Sequence, residues 1–143
     1  TMTIERIFID KLFAAEAYTR NAEKEHRAFE ASKHIYDLAV IASEPRIVSL
    51  LQDKEQLAKL LTIRLTEEQN RLDGIPGVLP KDFIFFDKAC ANTRITKAYA
   101  AMQNQYVFIP DDRISLDEAR YQLHCLQDQL NQNQAWSHAT IRE

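Results

Sequence analysis

Two glutamates and two histidines near the N-terminus have side chains that could bind a metal ion, because carboxylates and imidazoles ligate zinc and iron. They are Glu23, His26, Glu30 and His34. On a continuous helix these residues would lie within about 80° of one face. Glu23 and His26 form a Glu-x-x-His pair, half of a di-iron ligand set, but the chain has no second pair. The alternative is a solvated face with charge pairs such as Glu23 with Arg27, so we assign no metal or cofactor and keep metal binding as an alternative.

A second chemical pattern overlaps the first. Arg20, Asn21 and His26 read Arg-Asn-x-x-x-x-His, which resembles the Arg-(4 to 6 residues)-His motif of HEPN-type ribonucleases. The resemblance implies an RNase in which Arg20 and His26 act on the RNA phosphate and the 2′-hydroxyl, commonly across a dimer interface. Such a reaction needs a cation for the developing charge and a group for proton transfer.

The composition is that of an ordinary globular domain, with 143 residues of which 45% are hydrophobic and 27% charged. The 18 basic and 21 acidic residues are mixed along the chain, without the basic stripe typical of nucleic-acid binding. No apolar run has the length of a membrane span, and charged residues interrupt the N-terminal apolar positions, unlike a signal peptide. Cys90 and Cys125 are not in a Cys-x-x-Cys motif. They favour a reducing compartment, and we expect a cytoplasmic protein.

Helical periodicity predicts the fold class. Two glycines and four prolines are too few for a chain rich in turns, so we expect an all-α bundle of about four helices with mostly antiparallel neighbours. The whole chain, residues 1–143, is predicted to be one helical domain. The predicted helices cover residues 4–42, 44–72, 82–104 and 115–136.

Local signals mark the predicted helix boundaries. Ser43 is placed to cap the second helix, and Gly74 to end it in a left-handed conformation. Ser115 and Glu118 form a capping box before the last helix. Possible breaks lie at Gln52-Asp53 and at Asn92-Thr93.

The first predicted helix is unusually long. Residues 4–42 contain neither proline nor glycine, and a continuous helix would extend roughly 55 Å. Such a helix either protrudes and pairs with a second copy of the chain, or bends near residues 19–26. A homodimer through this helix is therefore one expectation.

Aromatic residues are concentrated between residues 78 and 109. We predict that four of them contact a protein partner: Phe83, Phe85, Tyr106 and Phe108. Without interleaved basic residues, this cluster does not favour base stacking. A local alternative is a strand at residues 83–86 that pairs with residues 106–109.

No nucleophile or phosphate-binding loop is evident in the sequence. The leading hypothesis is therefore a small non-enzymatic interaction module, an adaptor, inhibitor or regulatory subunit that binds a protein partner through a helical surface. The alternatives are a HEPN-like RNase using Arg20 and His26, and a metal-binding helical bundle.

Overall fold

The computed structural model describes residues 3–71, 74–107 and 109–139. All regular structure in these ranges is helical, which confirms the predicted all-α class. The described residues form eight α-helices rather than about four: α1 Ile4–Arg20, α2 Glu25–Ile41, α3 Pro45–Gln52, α4 Lys54–Glu68, α5 Phe85–Lys88, α6 Thr93–Tyr106, α7 Leu116–Gln132 and α8 Gln134–Ser137. Two 3₁₀ turns precede α5 and α7, at Pro80–Asp82 and Pro110–Asp112. Within the same ranges, no helix has the length and apolarity needed to cross a bilayer.

The predicted first helix over residues 4–42 is two helices that fold back on each other. The turn at residues 21–24 reverses the chain between α1 and α2. Lys11 contacts Asp37 near one end of the pair and Tyr18 contacts His34 farther along, so the two helices are antiparallel. Each has 17 residues, or roughly 25 Å. The predicted overhang, and with it the reason to expect a homodimer, is absent from the described residues.

The reversal allows the apolar faces of α1 and α2 to bury each other. Phe8, Leu12, Ile35 and Leu38 are all fully buried, whereas a straight helix of this length would leave much of that surface in water. α3 and α4 pack against α1, and α6 and α7 pack against α2. The antiparallel α1–α2 pair is therefore the centre of the bundle.

The other predicted helices also break, at side chains that can cap a new helix. The second divides at Asp53, the third at Asn92 and the fourth at Asn133. Each of these side chains accepts a backbone N–H from the next helix, at 3.0, 3.1 and 2.9 Å respectively. Asp and Asn side chains compete in this way with the hydrogen bonds that would continue a helix. Ser115 caps α7 as predicted, accepting from Glu118 N at 3.1 Å.

Two predicted boundary signals act differently in the structure. Ser43 does not cap the second helix, because α3 has Glu44 at its N-cap and the Ser43 hydroxyl donates instead to Val40 O at 3.4 Å. Among the described glycines, Gly77 has the positive φ, 87°, and Gly74 does not. α4 already ends at Glu68, so Gly74 is not its left-handed cap.

A buried carboxylate attaches α5 to α1. Glu16 is fully buried, and its Oε1 accepts the backbone N–H groups of Ile84 and Phe85 at 2.8 and 2.9 Å. Its Oε2 accepts from Arg20 Nε at 2.5 Å, and Arg20 Nη2 donates to Asp82 O at 3.3 Å. Since the first N–H groups of a helix have no partner inside it, Glu16 supplies from another helix the cap that α5 lacks locally.

We expect Glu16→Ala to lower the free energy of unfolding by roughly 2–4 kcal/mol, because it leaves two buried N–H groups and the Arg20 guanidinium without their acceptor. Urea denaturation followed by circular dichroism would measure the change. Asp128→Ala is the matched control, since Asp128 is exposed on α7, and it should change stability by less than about 0.5 kcal/mol. Equal effects of the two substitutions would show that Glu16 is not an anchor.

Candidate functional site

The four residues of the alternative metal-binding hypothesis do not share one helical face. Glu23 lies in the turn before α2, while His26, Glu30 and His34 lie on α2 itself. Glu23 and His26 are exposed, and Glu30 and His34 are partly buried. In the described parts of the chain, no group of three or more His, Cys, Asp or Glu side chains is arranged to hold a metal ion.

Arg20 and His26 lie on different helices. Arg20 is the last residue of α1 and bonds to Glu16 and to Asp82 O, so it holds the segment that leads into α5. His26 is exposed on the first turn of α2. Their catalytic role stays a prediction, and the structure adds a structural role for Arg20.

The predicted aromatic contact residues are separated in the structure. Phe83 and Phe85 are 7% and 0% exposed, and the Phe83 ring lies 5.3 Å from that of Trp136. These two phenylalanines are core residues because their rings pack inside the bundle. Tyr106 is 40% exposed and its hydroxyl lies 3.2 Å from Asp37 Oδ1. Phe108 lies outside the described residues.

The alternative strand pair is likewise not formed by the described parts of the two segments. Phe85 and Phe86 belong to α5, whose N-terminus is capped by Glu16, and Tyr106 is the last residue of α6. Helical hydrogen bonds therefore use the backbone groups that a strand would need.

Charged side chains line a cleft along α1, between α2 and α4, which we call the α1 groove. It consists of two adjoining cavities of about 490 and 510 Å³. Both are lined by the same four residues: Ala14, Tyr18, Arg64 and Arg71. α2 contributes Arg27 to one cavity and His34 to the other. The small alanine side chains on α1 leave the space open.

The groove carries more positive than negative side chains. Its five cations are Arg6, Lys11, Arg27, Arg64 and Arg71. Its three carboxylates are Asp10, Glu67 and Glu68. Lys11 is paired with Asp37 at 2.8 Å, so among the described residues these five cations face four carboxylates. The chain as a whole has a net charge of −3, so even this small local excess of cations favours anionic ligands.

Arg64 is a buried cation in the wall of the groove. Its side chain is 5% exposed, and Nη1 lies 2.8 Å from Asp10 Oδ1. Nη2 lies 3.0 Å from Glu68 Oε2, but this contact does not have the geometry of a hydrogen bond. The guanidinium also lies 5.2 Å from the centre of the Phe13 ring. The buried Nε of Arg64 has no hydrogen-bond partner. Arg64 therefore has a fixed orientation and one donor that is still unsatisfied.

The loop after α4 closes over Glu68. Glu68 is 2% exposed, and its Oε1 accepts the backbone N–H of Ile75 at 2.7 Å. A side chain at position 74 would collide with the same carboxylate, so Gly74 is required for this close approach of the backbone. The loop thus fixes one end of the groove.

Tyr18 is contacted by two groups from α2. The Arg27 guanidinium lies 4.7 Å from the centre of the Tyr18 ring. The His34 ring lies 5.6 Å from it, with 20° between the ring planes. Arg27 Nε and His34 Nδ1 are buried and have no hydrogen-bond partner. This wall therefore holds two further unsatisfied nitrogens beside an aromatic ring.

Burial, reinforced by the nearby Lys11 cation, lowers the pKa of His34 to about 4. Asp37 and Glu30 oppose this shift and Lys33 adds to it. His34 is therefore neutral at pH 7, and the positive charge of the groove comes from its arginines and Lys11.

The chain matches no protein-family model, no curated protein and no solved structure. Within the chain itself, the arrangement of the groove is suited to binding anions. Three of its cations, Arg27, Arg64 and Arg71, line the same cavity.

Sequence reasoning missed this site because its residues come from three helices whose pairing was unknown. One signal was present: Leu57, Leu61 and Leu65 form the buried stripe of α4, and Arg64 and Glu68 fall on the same face. Charged residues four apart on an apolar face indicate a buried ion pair.

We expect Arg64→Ala to destabilise the protein by roughly 3–5 kcal/mol, because it leaves the Asp10 and Glu68 carboxylates without their buried partner. Arg94→Ala is the control: Arg94 is exposed on α6, so we expect a loss below about 0.5 kcal/mol. Chemical denaturation would measure both. Losses of similar size would contradict the structural role of Arg64.

The lowered pKa of His34 makes stability depend on pH. The imidazole of His34 binds a proton more tightly in the unfolded chain than in the folded protein. The stability that the neutral His34 side chain contributes is therefore complete above pH 6.5 and is lost as the pH falls to about 4. The slope from this group is at most about 1.4 kcal/mol per pH unit. We expect His34→Phe, which retains a ring beside Tyr18, to reduce the loss of stability between pH 7 and pH 5 in urea titrations. An unchanged pH dependence would contradict this assignment.

Proposed function

We propose that this protein is a small non-enzymatic interaction module whose α1 groove receives an acidic segment of a protein partner. The observation that carries the proposal is the lining of one cavity by Arg27, Arg64 and Arg71, with Glu68 as the one carboxylate among its described residues. An acidic side chain placed there would be attracted by all three guanidinium groups. The role of adaptor, inhibitor or regulatory subunit fits a binding surface of this kind.

The size of the groove supports a peptide segment rather than a single small ion. Each cavity, at about 490 and 510 Å³, lies within the range of ligand-binding pockets. Ala14 and Ala17 present little side chain, so a partner backbone can approach α1 closely. Tyr18, which is partly buried, supplies apolar area next to the cations. A segment with acidic and apolar residues would match both features.

The thiols of Cys90 and Cys125 are free, which agrees with the proposed cytoplasmic location.

Site-specific photo-crosslinking tests this proposal. p-Benzoylphenylalanine would be placed at Asn70, an exposed residue of the groove lining, and in a separate variant at Ala100, which is exposed on α6. We expect a discrete adduct with a protein of the native lysate from Asn70 only. Mass spectrometry should map the crosslink to an acidic segment, and that segment made as a synthetic peptide should bind the wild-type protein.

Charge reversal provides the second arm of the test. Arg27→Glu combined with Arg71→Glu should abolish the adduct and reduce peptide binding by at least about tenfold, since two attractions become repulsions. Replacing the acidic residues of the peptide by lysine should restore binding to this variant. Equal adducts from the two positions, an adduct that survives charge reversal, or no adduct at all would overturn the proposal.

A further inference from the structure

We propose that the cavity lined by Arg27, Arg64 and Arg71 recognises a phosphoryl group on a side chain of the partner segment, so that the partner binds in its phosphorylated form. This inference rests on the proposed function, because it specifies the acidic group that the same groove receives. It follows from the number of guanidinium groups, from their unsatisfied donors and from the charge that the cavity leaves unbalanced.

Two arginines of the cavity have no ion-pair partner among the described residues. Arg64 is already paired with Asp10 and adjacent to Glu68, whereas Arg27 and Arg71, which line the same cavity, form no ion pair there. A phosphorylated side chain carries about −1.5 to −2 at pH 7, whereas Asp or Glu carries a single charge. The carboxylate of Glu68 is already bound by Ile75 N and adjacent to Arg64 Nη2, so it does not neutralise the other two arginines.

Two of the arginines that line the cavity each have an unsatisfied donor of the type that phosphate oxygens accept. Arg64 is 5% exposed in its side chain, and both Arg64 Nε and Arg27 Nε are buried without a hydrogen-bond partner. An unpaired buried N–H costs free energy that an accepting oxygen would offset. The three terminal oxygens of a phosphoryl group can accept from several guanidinium forks at once, while a carboxylate has two oxygens.

Arg64 is also oriented before any ligand arrives. Asp10 holds its Nη1 at 2.8 Å, and Glu68 lies 3.0 Å from its Nη2, so little side-chain entropy is lost when Nε binds an anion. Arg27 is placed in the same cavity by its contact with the Tyr18 ring at 4.7 Å. The wall is therefore prepared for anion recognition by contacts within the protein.

An NMR titration of the full chain with two small probes tests the inference. The probes are N-acetyl-O-phosphoserine amide and N-acetylglutamate amide, and the signals followed are the arginine Nε–H groups. We expect phosphoserine to bind at least about tenfold more tightly than glutamate, because it has more charge and one more acceptor oxygen. The Nε–H signals of Arg27 and Arg64 should shift most.

Matched variants assign the effect to the cavity. Arg27→Gln and Arg71→Gln should each weaken phosphoserine binding by at least about fivefold, since each removes one guanidinium contact. Arg94→Gln, at an exposed position on α6, should leave it unchanged. Equal affinity for the two probes, no binding of phosphoserine, or equal effects of all three substitutions would overturn the inference.

A phosphatase arm separates this inference from the proposed function. Crosslinking from Asn70 would be repeated in lysate treated with a general protein phosphatase. Loss of the adduct would support recognition of a phosphoryl group. An adduct that persists would overturn the phosphoryl inference and leave the acidic-segment proposal standing. Phosphoserine binding without an adduct in either lysate would overturn the proposal of a protein partner, and with it this inference.

Discussion

The buried ion pairs of Arg64 are the interaction on which the geometry of the groove depends. A guanidinium that is 5% exposed must be paired, because an isolated charge in the interior is strongly unfavourable. The ion pair with Asp10 connects Arg64 on α4 to α1. Glu68, next to Arg64 on α4, accepts the backbone N–H of Ile75 and so connects α4 to the loop that contains Gly74 and Ile75. The position of one side chain thus constrains two helices and the loop after them.

The same constraint connects stability with binding. The groups that hold Arg64 leave its Nε unsatisfied, and on α2 the Nε of Arg27 is left in the same state beside Tyr18. Such donors lower the stability of the unliganded protein and favour an anionic ligand, which is a common compromise at functional sites. Glu16 differs from these arginines, because both of its carboxylate oxygens accept hydrogen bonds within the protein. Its role is to hold α5 against α1.

The differences between the predicted and observed helices have a common physical origin. Periodicity located the helical segments, and breaks form at Asp53 and Asn92, where the sequence analysis placed possible ones, because each side chain caps the next helix. The break at Asn133, which also caps a new helix, was not predicted. Whether such a residue ends a helix depends on what the next segment packs against. Phe83 and Phe85 illustrate the same point, because an apolar ring can lie either at an exposed contact surface or in a core. In the structure both rings are buried, and Phe83 packs against Phe13 and Trp136.

The sequence by itself determined that this protein is helical, because helix propensity and apolar spacing are local properties. It also determined the capping of α7 by Ser115, which involves neighbours three residues apart. The tertiary structure alone decided that residues 4–41 reverse at the turn 21–24, since the reversal depends on two distant apolar faces burying each other. It also decided the groove, because Arg27, Arg64 and Tyr18 come from three helices and converge only when those helices pack.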